Sequence, residues 1–348
     1  MKAMPTLQTS SGRSFSLAER KKNVIAFAAL GVGLAVAICL SLAFGSTKSS
    51  IFAAINALLQ GNTASADFRI LVYIRLPRVL ASILAGCALA VAGVLIQAVL
   101  HNSMAAPNII GVNSGAGLAA SITIALFPTA IHALPLSAFV GALAACLLIY
   151  AISSRSGASK LTITLIGIAV GSVLNAGINA IKVLFPDSVY DADVFMIGGF
   201  SGMTFDKLFP ACLIIPAGIL AAMLLARDTD VLALGETTAA SLGVNIRALR
   251  FVLLIIASSL AGAAVSFAGL LGFVGLLVPH IIRRLIGSRH GLLIPGSAIL
   301  GSLLVLICDL FSRTTFAPYE LPVGIVLSLI GGSFFILLVL SGKRGQSL

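Results

Sequence analysis

The 348-residue sequence has no tryptophan, only five cysteines, and only 9% charged residues against 59% hydrophobic ones. A water-soluble domain carries roughly a quarter charged residues, so this shortage excludes water as the main solvent. Mean hydropathy is +1.12. Cys39, Cys87, Cys146, Cys212 and Cys308 all fall inside apolar runs without paired spacing. That excludes a disulfide framework or a cysteine metal cluster, and leaves them as small core residues. A phosphate-cradling GxxxxGK[ST] loop is also missing: the only lysine preceded by glycine is Lys343, and Arg344 follows it. By that mechanism the chain cannot be its own ATPase. His101, His132, His280 and His290 are scattered, with no HExxH and no carboxylate spacing. No catalytic residue, metal ligand or bound cofactor is expected on this chain.

What is present is a series of apolar runs long enough to cross a bilayer, which needs roughly 17 to 25 residues. Ten can be read, near 24–44, 79–100, 109–127, 134–152, 161–185, 208–226, 248–268, 270–287, 292–311 and 321–341. The expected fold is therefore all-α, a membrane bundle of about ten transmembrane helices. The first run follows Arg20, Lys21 and Lys22 like a signal peptide, but it exceeds a typical apolar signal core and reads as a retained span. An even number of spans puts both termini on one side, and lysine and arginine favour the cytoplasm. With the termini inside, 15 of the basic residues lie inside and 7 outside, while the acidic residues divide 4 and 7. The formal +11 thus collects on one face. Its scatter over short loops argues for anionic lipid and against nucleic acid. Tyr73, Tyr150, Tyr190 and Tyr319 sit at span ends, as amphipathic rings prefer. No linker divides the chain, so it reads as a tail 1–22, one membrane domain 23–341 and a tail 342–348.

Glycines inside spans, such as Gly86 with Gly93 and Gly167 with Gly171, suit close helix packing. In span 161–185, Thr164, Gly167, Gly171, Asn175, Asn179 and Lys182 recur at intervals of three or four, forming one polar and small stripe. The stripe either packs against a helix or lines a wet path, and Lys182 is near enough to the outer end to extend into the interface. The inner segment 227–250 reads as two short helices. Thr229 or Asp230 can cap the first, Gly235 can end it, and Gly243 can end the second. Such a pair is either a docking surface or an amphipathic element whose Val231, Leu232 and Leu234 dip into lipid. On the outer side, RLPR places Arg75 and Arg78 about Pro77 at an expected helix start. Arg313 follows Asp309 by four residues, the favourable order for an ion pair.

Four strings, RLPRVLASILAGCALAVAGVLIQAVLHNSMAAPNIIGVNSGAG (75–117), ALGETTAASLGVNIRALR (233–250), GFVGLLVPHIIRRLIGSRH (272–290) and ELPVGIVLSLIGGSFF (320–335), resemble the FecCD family of ABC importer permeases in order and spacing. The resemblance implies a type II importer fold with ten helices per subunit, and two such subunits, identical or paralogous, around one path. It implies two cytoplasmic ATPase subunits, which hold ATP and magnesium, and an extracytoplasmic substrate-binding protein. Arg75, Arg78 and Arg313 match the arginines that receive acidic residues of that binding protein. Leu232, Leu234, Gly235, Glu236, Leu242 and Gly243 fall in the matching coupling helices. By the same resemblance Thr164, Gly171, Asn175 and Asn179 line the translocation path, and Ser159 lies at the cytoplasmic gate. The implied cargo is a ferric siderophore, then haem, then cobalamin, carried across the bacterial cytoplasmic membrane. Two other classes compete: an ion-coupled secondary transporter, which would place ionisable groups near midmembrane, and a structural scaffold.

Overall fold

The computed structural model describes residues 17–45, 51–59, 62, 64–155, 160–317 and 319–342, and among them every regular element is a helix. Seven helices are long and apolar enough to cross a membrane. They are α1 (Leu17–Ala43), the continuous run of α3 (Ala66–Ile70), a π-helical turn (Leu71–Arg75) and α4 (Leu76–Leu100), then α6 (Leu134–Arg155), α7 (Lys160–Leu184), α9 (Phe205–Leu224), α12 (Ile246–Ala268) and α14 (His290–Thr314). Two further apolar helices are shorter by this measure: α5 (Val112–Leu126), and α15 (Val323–Gly342) over its stretch Val323–Leu337. The remaining helices are α2 (Ile51–Leu59), α8 (Val189–Ile197), α10 (Ala226–Ala233), α11 (Glu236–Ser241) and α13 (Val274–Ile286).

The expected run 270–287 departs most from a simple span. Its first residues are irregular, and only the 13 residues of α13 are helical, about 20 Å at 1.5 Å per residue. The cause is local. Gly269 has φ +68°, and a Cβ there would lie 2.4 Å from the Phe195 carbonyl oxygen. The helix therefore gives way so that the Leu270 N–H can donate to Phe195 O, and the Gly199 N–H to Ala268 O.

Pro77 does not open a helix either. Helical backbone begins at Ala66, where Ser65 Oγ accepts the Phe68 N–H. The π turn at Leu71–Arg75 then widens the ladder just before Pro77, relieving the clash that a proline ring makes with the carbonyl four residues back.

Buried α4 forms the hub, with α9, α12, α13 and α14 packed around it. Two glycine pairs bring backbones together. A Cβ on Gly86 would lie 2.2 Å from Gly301 O, and one on Gly93 would lie 2.0 Å from Gly275 O. Only small residues permit such approach, and in lipid it is dispersion between backbones that holds helices together. Gly167 packs in the same way, its missing Cβ 2.0 Å from Ile109 O. By contrast α1 is peripheral, holding the bundle through a small cluster in which Ala37 meets Val79 and Leu306.

Candidate functional site

Two surfaces lie at opposite ends of the bundle. At one end the last turn of α1, the π turn before α4, the last turn of α14 and the start of α15 converge on three arginines. Arg78 Nε donates to both oxygens of Asp309 (3.0 and 3.1 Å), and its Nη1 donates to Glu320 (2.7 Å). Arg313 Nη2 donates to Ser41 O at 2.6 Å and to Ser41 Oγ, while its Nε lies 3.5 Å from Asp309 Oδ2. Arg75 Nη1 donates to Leu42 O and Ala43 O (2.7 and 2.8 Å).

The last carbonyls of a helix lack intrahelical partners, and here guanidinium groups from two other elements satisfy them at the end of α1. Arg75, Arg78 and Arg313 are only 3%, 7% and 2% exposed, and Asp309 is 0% exposed. The three arginines expected to dock a binding protein all turn inward in the subunit, because Asp309 and the end of α1 supply their partners. Arg78 keeps one opening: with Glu320, Asp191 and Lys207 it lines a cavity of about 480 Å³ walled by Phe127, Phe195 and Phe267. The Asp309–Arg313 pair was foreseeable from its spacing. Arg78–Asp309, 231 residues apart, carries no local signal.

At the opposite end α10 and α11 form the compact pair that the segment 227–250 suggested. Gly235 (φ +111°) joins them, and Gly243 (φ +84°) follows the second. The capping expectation fails. Thr229 lies inside α10 and donates from Oγ1 back to Leu225 O at 2.7 Å. The Asp230 carboxylate instead accepts from the His290 backbone N–H (2.8 Å) and contacts its Nδ1 (2.7 Å).

Of the residues expected at a coupling contact, Leu234 and Leu242 are 65% and 61% exposed, whereas Leu232 is fully buried. Leu232 therefore belongs to the core, neither dipping into lipid nor reaching a partner, and its carbonyl accepts from His101 Nε2 at 2.8 Å. Glu236 is held against the start of α12 by Arg250. A hydrogen bond from Arg283 to Gln97 adds a third tie at this end.

The stripe on α7 divides. Thr164 and Gly171 are half-buried, with the Cα of Gly171 facing Ser114, while Asn175 and Asn179 are exposed on the flank of the helix. Lys182 does not simply reach outward; it pairs with Asp193 of α8. Ser159 lies outside the described residues. Among the described residues no cluster of histidine, cysteine or carboxylates suits a metal ion, and no cysteine is bonded to another.

The chain is similar to known transport proteins over nearly its whole length. It is 37% identical over 340 residues to the Fe(3+)-citrate import system permease protein YfmE of Bacillus subtilis, an alignment covering 94% of this chain and 98% of that one. It is 35% identical to the hemin transport system permease protein HmuU of Yersinia pestis, covering 91% and 97%. Among solved structures, it matches an inward-facing metal-chelate type ABC transporter with TM-score 0.81 and 26% identity, covering 91% of this chain and 99% of that one. The FecCD transport family model matches residues 33–341. A multi-pass helical bundle that matches this model over nearly its whole length belongs to the FecCD transport family and is a transport subunit, not an enzyme.

Proposed function

We propose that this chain is the permease subunit of an ABC importer that carries a ferric chelate, most simply a ferric siderophore, across the cytoplasmic membrane. The observation that carries this reading is the full-length similarity to the iron-citrate permease named above, joined to an iron(3+)-hydroxamate permease, FhuG of Bacillus subtilis, at 34% identity over 335 residues. Two such subunits flank the path, two ATPase subunits seat on α10 and α11, and a substrate-binding protein docks at the arginine end. The exposure of Leu234 and Leu242 on a rigid helical pair supports the ATPase contact. For the binding protein, Arg78 is the arginine that opens on the outer cavity, and a guanidinium fork suits an incoming carboxylate. Arg75 and Arg313 serve that contact by fixing the end of α1, and the exposed Asn175 and Asn179 line the path between subunits. Ser159 belongs to the cytoplasmic gate in the same reading. The hemin relative, at nearly the same identity, favours haem as the second cargo.

A strain deleted for this chain should lose uptake of radiolabelled iron from one class in a panel of ferric citrate, hydroxamate, catecholate and haem. Restoring the chain should restore uptake only beside an ATPase that hydrolyses ATP. Uptake that survives a hydrolysis-dead ATPase would overturn the importer reading in favour of an ion-coupled transporter.

A further inference from the structure

A cavity of about 770 Å³ lies on the flank of the α10 end, between the first turns of α1, the start of α10 and the start of α14. Val24, Phe27 and Leu292 form its apolar wall, and Arg20, Arg227 and Arg289 stand around it. All three arginines are exposed. Asp230 accepts from the His290 backbone N–H at 2.8 Å and contacts its Nδ1 at 2.7 Å, so among the lining residues three guanidinium groups face one carboxylate. Beyond Val24, exposed apolar surface continues up α1 at Val32 and Val36, which are 64% and 51% exposed.

We propose that this cavity is a binding site for an anionic phospholipid of the surrounding leaflet. The phosphate lies among Arg20, Arg227 and Arg289, and the upper part of one acyl chain lies along Val24 and Phe27. The volume falls within the roughly 300 to 1,000 Å³ of sites that hold small organic molecules, which leaves far more room than a bare phosphate fills. Because the wall runs on into the exposed face of α1, the acyl chain remains in the bilayer it came from. A zwitterionic headgroup would bring an ammonium against three guanidinium groups. The proposal rests on the chain's being a membrane protein and not on its cargo, so it and the iron-uptake experiment fail independently.

The absence of tryptophan supplies a clean probe. Phe27→Trp places a sole tryptophan in the cavity wall of the full-length protein, in mixed bilayers containing brominated phosphatidylglycerol or brominated phosphatidylcholine. Half-maximal quenching should need roughly a hundredfold less phosphatidylglycerol, since each of the three basic residues near a membrane surface adds about 1 kcal/mol of attraction to anionic lipid. Adding Arg20→Gln, Arg227→Gln and Arg289→Gln should abolish that preference, whereas Arg247→Gln should leave it intact. If the triple variant does not fold, Arg227→Gln alone should reduce the preference about fivefold. Equal quenching by the two lipids, or a preference that survives the arginine changes, would overturn the proposal. So would relief of quenching by millimolar inorganic phosphate, which would make the cavity an anion site without lipid.

Discussion

Asp309 is the residue on which one end of the molecule turns. Its fully buried carboxylate is shared by Arg78 and Arg313, and removing one partner of a buried ion pair costs about 3–5 kcal/mol because the other charge is left uncompensated. Asp309→Asn should therefore lower the thermal midpoint of the purified protein sharply. Glu320→Gln touches the same Arg78 but from a side chain that is 25% exposed. Partly solvated pairs contribute only about 0–1 kcal/mol, so that variant should unfold within a few degrees of the parent. Equal losses would show that the cluster is not organised around Asp309. The sequence made only half of this arrangement legible. The four-residue spacing announced Asp309–Arg313, but nothing local could announce that Arg78 reaches the same carboxylate, or that the carbonyls of Leu42 and Ala43 would occupy Arg75.

Among the elements, the α10–α11 pair separates residues that one motif had grouped together. Leu232 fills the core and Leu234, two positions on and just past the end of α10, lies outside it. Leu232→Ala should cost about 2–5 kcal/mol through the cavity it leaves, read as lost thermal stability. Leu234→Asp with Leu242→Asp should leave stability unchanged while preventing the ATPase subunit from copurifying. A stable Leu232→Ala protein, or full ATPase recovery with the double variant, would contradict this division. The turn residues Gly235 and Gly243 marked the ends of both helices. The misplaced feature was the cap at Thr229 or Asp230, because the partner of Asp230 is His290, 60 residues further along.

For the molecule as a whole, apolar runs sufficed to find the helical membrane bundle but not its irregularities. Run 270–287 has the composition of a span, yet Leu270 spends its backbone N–H on Phe195, just after Ala268 has accepted the Gly199 N–H. Hydropathy cannot register that choice. The α7 stripe was likewise visible as a pattern, while its division into a packed half and an exposed half depends on where α5 lies. If two subunits enclose a path along this flank, Asn175→Cys and Asn179→Cys should react with a membrane-impermeant maleimide in assembled transporter, after Cys39 and Cys212 are replaced. Labelling should change when the ATPases are locked with a non-hydrolysable nucleotide. Val173→Cys, exposed on another face of α7, should stay unlabelled in the bilayer. Labelling at Val173 equal to that at Asn175 would show that the water-filled route lies elsewhere.

The contact between Gly86 and Gly301 has a mechanical meaning. Helices α4 and α14 touch there backbone to backbone, and each continues to both ends of the bundle. Arg78 and Asp309 lie beyond the crossing on one side, His101 and His290 on the other. At 1.5 Å per residue, Gly86 divides α4 into arms of about 12 Å toward Arg78 and about 22 Å toward His101. Two rods crossing at a fixed point make a pair of shears with unequal handles. If the two helices pivot at that point, the Arg78 end of α4 moves about half as far as its His101 end.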